Sequence, residues 1–211
     1  VSVVQRALLV GFIVALGIGA LAAYWYQSNR TELSVNRTPE GFDLIGEMEQ
    51  RGVPDWTLKA LDGSAYRLTE NLGPATIINF WASWCNPCVE EFPSMLKLVQ
   101  AMKGQVKIIA ISTDSDRKDL ENFVRAFDLP QPGFDIVWDE EGSVRKAYGV
   151  EKIPESFIVQ RDGKLYRKVM GIEDWASEGA IGFFTWMISN PVLEKGRRFS
   201  NSSEKSQTNT Q

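Results

Sequence analysis

A strand-type run, Thr76-Ile-Ile-Asn-Phe-Trp81, leads within three residues into Trp84-Cys85-Asn86-Pro87-Cys88, and the chain of 211 residues has no other cysteine. Two thiols at the point where a buried strand turns into a helix leave few folds open. A second apolar run, Val106 to Ser112 (VKIIAIS), follows, and each run precedes a segment of helical character. Short apolar runs alternating with helical patterns predict strand-helix-strand units with a parallel central pairing.

The remaining punctuation extends that pattern. Trp56 to Ala60 and Tyr66 to Leu68 flank Asp62-Gly63 and predict a hairpin, with the Asp-Gly pair supplying the positive φ of a two-residue turn. Asp116 to Phe127 is predicted helical, Phe134 to Trp138 a short strand, and Gly142 to Tyr148 a turn or two of helix. Phe157 to Gln160 and Leu165 to Met170, joined by Asp162-Gly163, predict a second antiparallel hairpin, and Trp175 to Ile188 a closing amphipathic helix. The expected class is α/β, one domain over residues 50–190.

Composition narrows the chemistry. The chain has no histidine, which removes His-based triads, imidazole metal sites and His ligation of haem. Two cysteines cannot complete a tetrahedral zinc site, and no second C-x-x-C or following His appears. A net charge of −4 with no basic aromatic-rich cluster gives no footprint for nucleic acid. No cofactor is expected, and thiol redox chemistry is what the residues leave.

From Ala7 to Tyr26 the chain carries no charge. Twenty helical residues reach about 30 Å, the thickness of a bilayer's hydrocarbon core. Tyr24, Trp25 and Tyr26 close the run where an aromatic belt meets headgroups, and Arg6 precedes it, as for a cytoplasmic N-terminus at residues 1–6. A membrane anchor over 7–26 is the expectation, with the domain on the extracytoplasmic side. A cleaved signal peptide is the alternative, since Ala20-Leu21-Ala22 offers an A-x-A-like site. Residues 27–49 are polar and read as a tether holding at most one short ordered turn. The tail from 191 to 211, rich in Ser, Asn, Thr, Gln and Lys, lacks the apolar surface to fold.

The segment after the motif places Cys88, Phe92, Met95, Leu96 and Val99 on one helical face. Cys85 falls at or before the first turn, where unpaired N–H groups and the macrodipole favour a thiolate. The thiols are thus unequal: an exposed, thiolate-prone Cys85 suits an attacking nucleophile, and Cys88 a shielded thiol that resolves the mixed disulfide. Pro87 belongs in a first helical turn. Glu91, three residues past Cys88, lies about 60° round the helix on the same side, whereas Glu90 points to solvent. Half-buried there, Glu91 is expected to have a raised pKa and to exchange a proton with Cys88. Its plainer role is that of a first-turn carboxylate favouring the dipole. Pro154, ahead of the Phe157 strand, reads either as an ordinary loop residue or as a cis proline holding a turn.

The residues FWASWCNPCVEEFP, followed some sixty residues later by IPESFIV and a D-G hairpin, resemble the thioredoxin-like superfamily. Within it the chain is most similar to the TlpA/ResA type of membrane-anchored thiol-disulfide oxidoreductases, which includes the CcmG/DsbE proteins. The likeness covers about residues 50–190, and Pro93 stands where the family has a helix-kinking proline. The resemblance implies a thioredoxin-like fold, a central mixed sheet flanked by helices with an N-terminal hairpin and a central insertion over about 114–138. It also implies a cis peptide at Pro154 facing the disulfide, Ile153 offering backbone hydrogen bonds to a substrate chain beside Trp84, and Asn86 and Pro87 tuning the motif. Thioredoxin has a buried aspartate two residues before the tryptophan of its F-W pair. Asn79 stands there in this chain, which supports Glu91 as the substitute proton acceptor. Glu155 departs from the threonine usual after the proline and puts a carboxylate near the expected site, where it would repel acidic partners or raise thiol pKa values.

The leading functional expectation is an extracytoplasmic reductase of disulfides in partner proteins, with apocytochrome c as the family's best-known substrate. Electrons would come from a membrane thiol carrier of the DsbD/CcdA kind, and the 7–26 segment would contact lipid. An oxidase or isomerase would use the same pair in reverse, and Asn86-Pro87 does not fix the direction. A peroxidase fits less well, its cysteine being expected in another loop context with an arginine nearby. A tethered binding domain with a fixed Cys85–Cys88 bridge is the non-enzymatic alternative. A disulfide closing so small a ring constrains the unfolded chain little, which disfavours it.

Overall fold

The computed structural model describes residues 43–190 together with residues 5, 17 and 19–21. The folded unit begins at Leu44, and Val1–Asp43 forms a separate unit. Most of the 7–26 segment, the bulk of the tether and the 191–211 tail lie outside the described residues. Among those described, no helix is long and apolar enough to cross a membrane.

In chain order the elements are α1 (Leu44–Arg51), β1 (Thr57–Ala60), β2 (Ala65–Arg67), a 3-10 turn (Thr69–Asn71), β3 (Ala75–Trp81) and α2 (Asn86–Ala101). They continue as β4 (Val106–Ser112), α3 (Arg117–Ala126), β5 (Phe134–Trp138), α4 (Ser143–Ala147), β6 (Glu155–Gln160), β7 (Leu165–Met170) and α5 (Glu178–Ser189). The strands form one sheet in the order β2-β1-β5-β4-β3-β6-β7. β3, β4 and β5 run parallel, while β1 joins β5, and β6 joins β3, antiparallel. This is the mixed sheet that the motif pattern predicts. The insertion expected near 114–138 is α3 and β5, and β5 seats the N-terminal hairpin on the sheet.

β3 is buried along its whole length, as its run of apolar residues requires for a strand covered on both faces. On one face Ile77 and Trp81 pack with Phe92 and Met95 of α2, Phe123 of α3 and Phe184 of α5. On the other, Ile78 and Phe80 pack with Met48 of α1 and with Val144 and Tyr148. Phe92 holds the first core together: its ring lies 4.5 Å from that of Trp81, 5.0 Å from Phe123 and 5.5 Å from Phe134. Gly133 sits at φ +84°, and a Cβ there would come within 2.8 Å of Val99 Cγ1, so α2 and β5 pack closely only because that position has no side chain.

Three details differ from the sequence expectation. Residues 44–49, read as the end of the tether, belong to α1, which buries Gly46 and Met48. Its polar composition hides a helix whose ordering comes from tertiary packing. The β1–β2 loop has three residues, since Ala60 N–H donates to the Ser64 carbonyl and Gly63 alone takes the positive φ. The closing helix starts at Glu178 with Ser177 as its cap, so Trp175 lies in the preceding loop.

Phe92→Ala should destabilise the domain by about 3–5 kcal/mol, the cost of emptying a fully packed aromatic site. Urea unfolding monitored by circular dichroism measures it.

Candidate active site

β3 delivers the cysteine pair. Thr113 N–H donates to the Trp81 carbonyl at 2.8 Å, closing the parallel β3–β4 ladder, and the chain then turns through Ala82 to Trp84. Asp114, buried just past β4, accepts from the Ser83 N–H and hydroxyl and from the Ser112 hydroxyl, which fixes that turn. Cys85 is therefore the N-cap of α2, with Asn86 and Pro87 exposed in its first turn.

Cys85 and Cys88 are joined as a disulfide. The Cys88 backbone N–H donates to Cys85 Sγ at 3.3 Å, the interaction that stabilises a thiolate there once the bridge opens. The expectation of an exposed Cys85 is corrected: packed in the same core cluster as Cys88, it is only 6% exposed, against 0% for Cys88. Trp84, 64% exposed, stands beside Cys85. Ile153–Pro154 is a cis peptide, and the Ile153 carbonyl oxygen lies 3.8 Å from Cys85 Sγ. Met170 and Ile172, near the same proline through the Gly171 N–H bond to the Pro154 carbonyl, are also exposed. Trp84 and Ile172 thus form an apolar rim near the cis proline and the cysteine pair, whereas Met170, paired with Glu155, shares the opposite face of the sheet.

Glu91 is buried, 2% exposed, one turn along α2 from Cys88, and Glu90 is exposed. Burial pushes the Glu91 carboxyl up to about 7. Trp175 Nε1–H donates to Oε1 at 2.5 Å and Glu173 N–H to the same oxygen at 3.2 Å, partly offsetting that rise. Asn79 also bears on the carboxyl and donates to Ser156 Oγ at 2.9 Å. The acid and its surroundings are thus on the same side of the sheet as Cys88. A carboxyl poised near neutrality beside a buried thiol can take its proton and return it.

Glu155 does not reach this site. It pairs with Phe80 across β6–β3 and so shares the opposite face of the sheet, where Lys168 Nζ lies 3.0 Å from its Oε2. The charge is compensated away from the thiols, and Ser156 is the β6 residue on their side. Trp175 and Glu173 were not legible as site residues, because they lie more than eighty positions from Glu91 in the chain.

A sheet of this order, with a C-x-x-C pair at the N-terminus of the helix after β3 and a cis proline against it, defines a thioredoxin-like thiol-disulfide oxidoreductase. The model of the AhpC/TSA family matches residues 50–168, and the chain belongs to that family. Thiol-disulfide oxidoreductase ResA of Geobacillus thermodenitrificans is 30% identical over 170 residues, 80% of this chain and 87% of that protein. ResA of Bacillus subtilis is 30% identical over 124 residues, 58% of this chain and 68% of that protein. Among solved structures, one described as thiol:disulfide interchange protein DsbE from Chlorobium tepidum has a TM-score of 0.57 at 26% identity, covering 65% of this chain and 95% of that one. StoA from Bacillus subtilis has a TM-score of 0.51 at 27% identity over 63% and 96%. The protein is an enzyme of this ResA/DsbE type, and its substrates are proteins.

The raised Glu91 pKa makes stability depend on pH. Between the ordinary value of 4.5 and about 7 the unfolded chain gives up a proton that the folded chain keeps, so stability falls as pH rises through this window. The loss by pH 8 is about 3 kcal/mol. Denaturant unfolding of the oxidised protein at pH 4 and pH 8 should show that slope, and Glu91→Gln should remove it. An equal slope in both proteins would contradict a buried titrating Glu91.

Proposed function

We propose that the protein is an extracytoplasmic reductase of protein disulfides, held at the membrane by residues 7–26, with Cys85 as nucleophile, Cys88 as resolving thiol and Glu91 as proton acceptor. The observation that carries the catalytic part is the asymmetry of the pair. Cys85 keeps 6% exposure and its sulfur receives a backbone N–H, and Cys88 is fully buried one helical turn from a carboxyl pushed up to about 7. A purely structural bridge needs neither feature.

In the reductive direction, the Cys85 thiolate bonds to one sulfur of the substrate disulfide and expels the other as a thiolate. Cys88 then passes its proton to Glu91 and attacks Cys85 Sγ, expelling the second substrate sulfur, which is reprotonated. The substrate disulfide gains two electrons, and the Cys85/Cys88 dithiol loses them in forming its disulfide. Trp84, Ile153 and Pro154 receive the substrate chain, with the apolar rim suited to an unfolded or extended segment.

Reduction on the outer side of a membrane needs a dedicated electron supply. Tethering through an uncharged segment such as 7–26 raises the local concentration of the domain near a membrane thiol carrier of the DsbD/CcdA kind. Apocytochrome c, with its oxidised C-x-x-C-H, is a substrate that this reading accommodates. Oxidase or isomerase action with the same pair is the competing direction.

Cys88→Ser should accumulate mixed disulfides through Cys85, and mass spectrometry of the trapped partners identifies the substrates. A reduction potential near −270 mV, about that of thioredoxin, supports reduction, whereas one near −120 mV, about that of a strong oxidant, would overturn it. Trapping that fails in Cys88→Ser yet succeeds in Cys85→Ser would reverse the roles of the two thiols.

A further inference from the structure

The loop between β7 and α5, residues 171–177, is latched onto α2. Ser94 Oγ–H donates to the Glu91 carbonyl at 2.8 Å, Trp175 N–H donates to Ser94 Oγ at 3.3 Å, and the indole of Trp175 is buried against Phe184. This latch brings two N–H donors, the Trp175 indole and the Glu173 backbone, onto one oxygen of Glu91, Oε1. The hydroxyl oxygen of a carboxylic acid is a weaker acceptor than its carbonyl oxygen, because one of its lone pairs is delocalised into the carbonyl. Two donors on Oε1 therefore favour the acid form whose hydroxyl is Oε2.

We propose that Trp175 is a positioning residue for thiol-disulfide exchange: by occupying Oε1 together with the Glu173 N–H, it assigns proton transfer with Cys88 to Oε2. The inference rests on Glu91 being the proton acceptor. Trp175 acts on the exchange through the carboxyl, to which its indole N–H donates. The groups facing Glu91 that carry or gain charge are Glu173 on the loop, which raises its pKa, and the two cysteines at the start of α2. Asp174 is turned into its own loop, accepting from Ala176 N–H. β3 and β6 contribute the neutral Asn79 and Ser156, and the Lys168–Glu155 pair lies on the far face.

Trp175→Phe deletes the indole donor and keeps an aromatic ring against Phe184. The hydrogen bond it removes favours charged Glu91, so its loss disfavours the carboxylate that must receive the Cys88 proton. Stopped-flow exchange of the reduced full chain with oxidised insulin, followed across pH, should show the acid limb of the rate profile displaced upward by about one pH unit, with the alkaline plateau retained within about twofold. In a Glu91→Gln background, adding Trp175→Phe should produce no displacement. An unmoved limb in Trp175→Phe, or an equal displacement in the Glu91→Gln background, overturns the inference while leaving Glu91 as acceptor. If Glu91→Gln by itself leaves the acid limb where it was, both readings fall. Should Trp175→Phe fold poorly, Ser94→Ala, which releases the Trp175 N–H from its latch, should displace the limb in the same direction by less, and no displacement there would count against the inference.

Discussion

The site depends on the parallel register between β3 and β4. Seven successive pairs, from Ala75 with Val106 to Trp81 with Ser112, fix where β3 ends, and the bond from Thr113 N–H to the Trp81 carbonyl closes the ladder. Asp114 follows at once and holds Ser83, so the residues between β3 and α2 have no freedom to slide. On the other edge of β3, β6 pairs Phe80 with Glu155. Pro154 and Ile153 therefore arrive beside Cys85. A shift of one residue in either ladder would exchange the faces of every side chain and separate the sulfur from the proline loop. The chemistry is thus set by backbone hydrogen bonds some distance from it.

Burying Glu91 runs against stability. A carboxyl in an apolar interior disfavours its own charge, and replacing it with a packed neutral side chain would stabilise the fold at neutral pH. Its presence one turn from Cys88 makes sense as acid-base chemistry: a fully buried thiol has no solvent to take its proton, and a carboxyl titrating near 7 can both accept and return it. Asn79 sits on β3 on the same side of the sheet, so a neutral amide stands on the strand and the titrating group on the helix. The carboxyl is then carried by the same helix as Cys88, and its distance from Cys88 is set by helix geometry.

Much of this was legible in the sequence where a local pattern determines the outcome. Val106–Ser112 and Phe134–Trp138 take the predicted bounds, because apolar runs edged by turn residues leave a buried strand little choice, and Leu165–Met170 does so as the second arm of a hairpin fixed by Asp162-Gly163. The unequal thiols followed from Cys85 being the N-cap, a property of a few neighbouring residues. What was hidden depends on contacts between distant segments. α1 is polar and gains its order from packing Met48 beneath the sheet. Glu155 was expected near the thiols because it follows Pro154, but its face is decided by pairing with Phe80, so the strand turns it toward Lys168. Trp175 read as the start of a helix, and only the fold brings its indole to Glu91.

The same short loop joins the two halves of the site. Gly171 N–H donates to the Pro154 carbonyl at 2.9 Å, while Glu173 and Trp175 donate to Glu91. Pro154 forms the cis peptide beside Cys85, and Glu91 is the buried carboxyl one helical turn from Cys88. With only Ile172 between Gly171 and Glu173, and three residues between Gly171 and Trp175, the loop cannot shift at one end without straining hydrogen bonds at the other, and the buried Trp175 ring resists any rotation that would absorb the movement. The cis-proline loop beside Cys85 and the buried carboxyl near Cys88 are therefore mechanically linked through one segment.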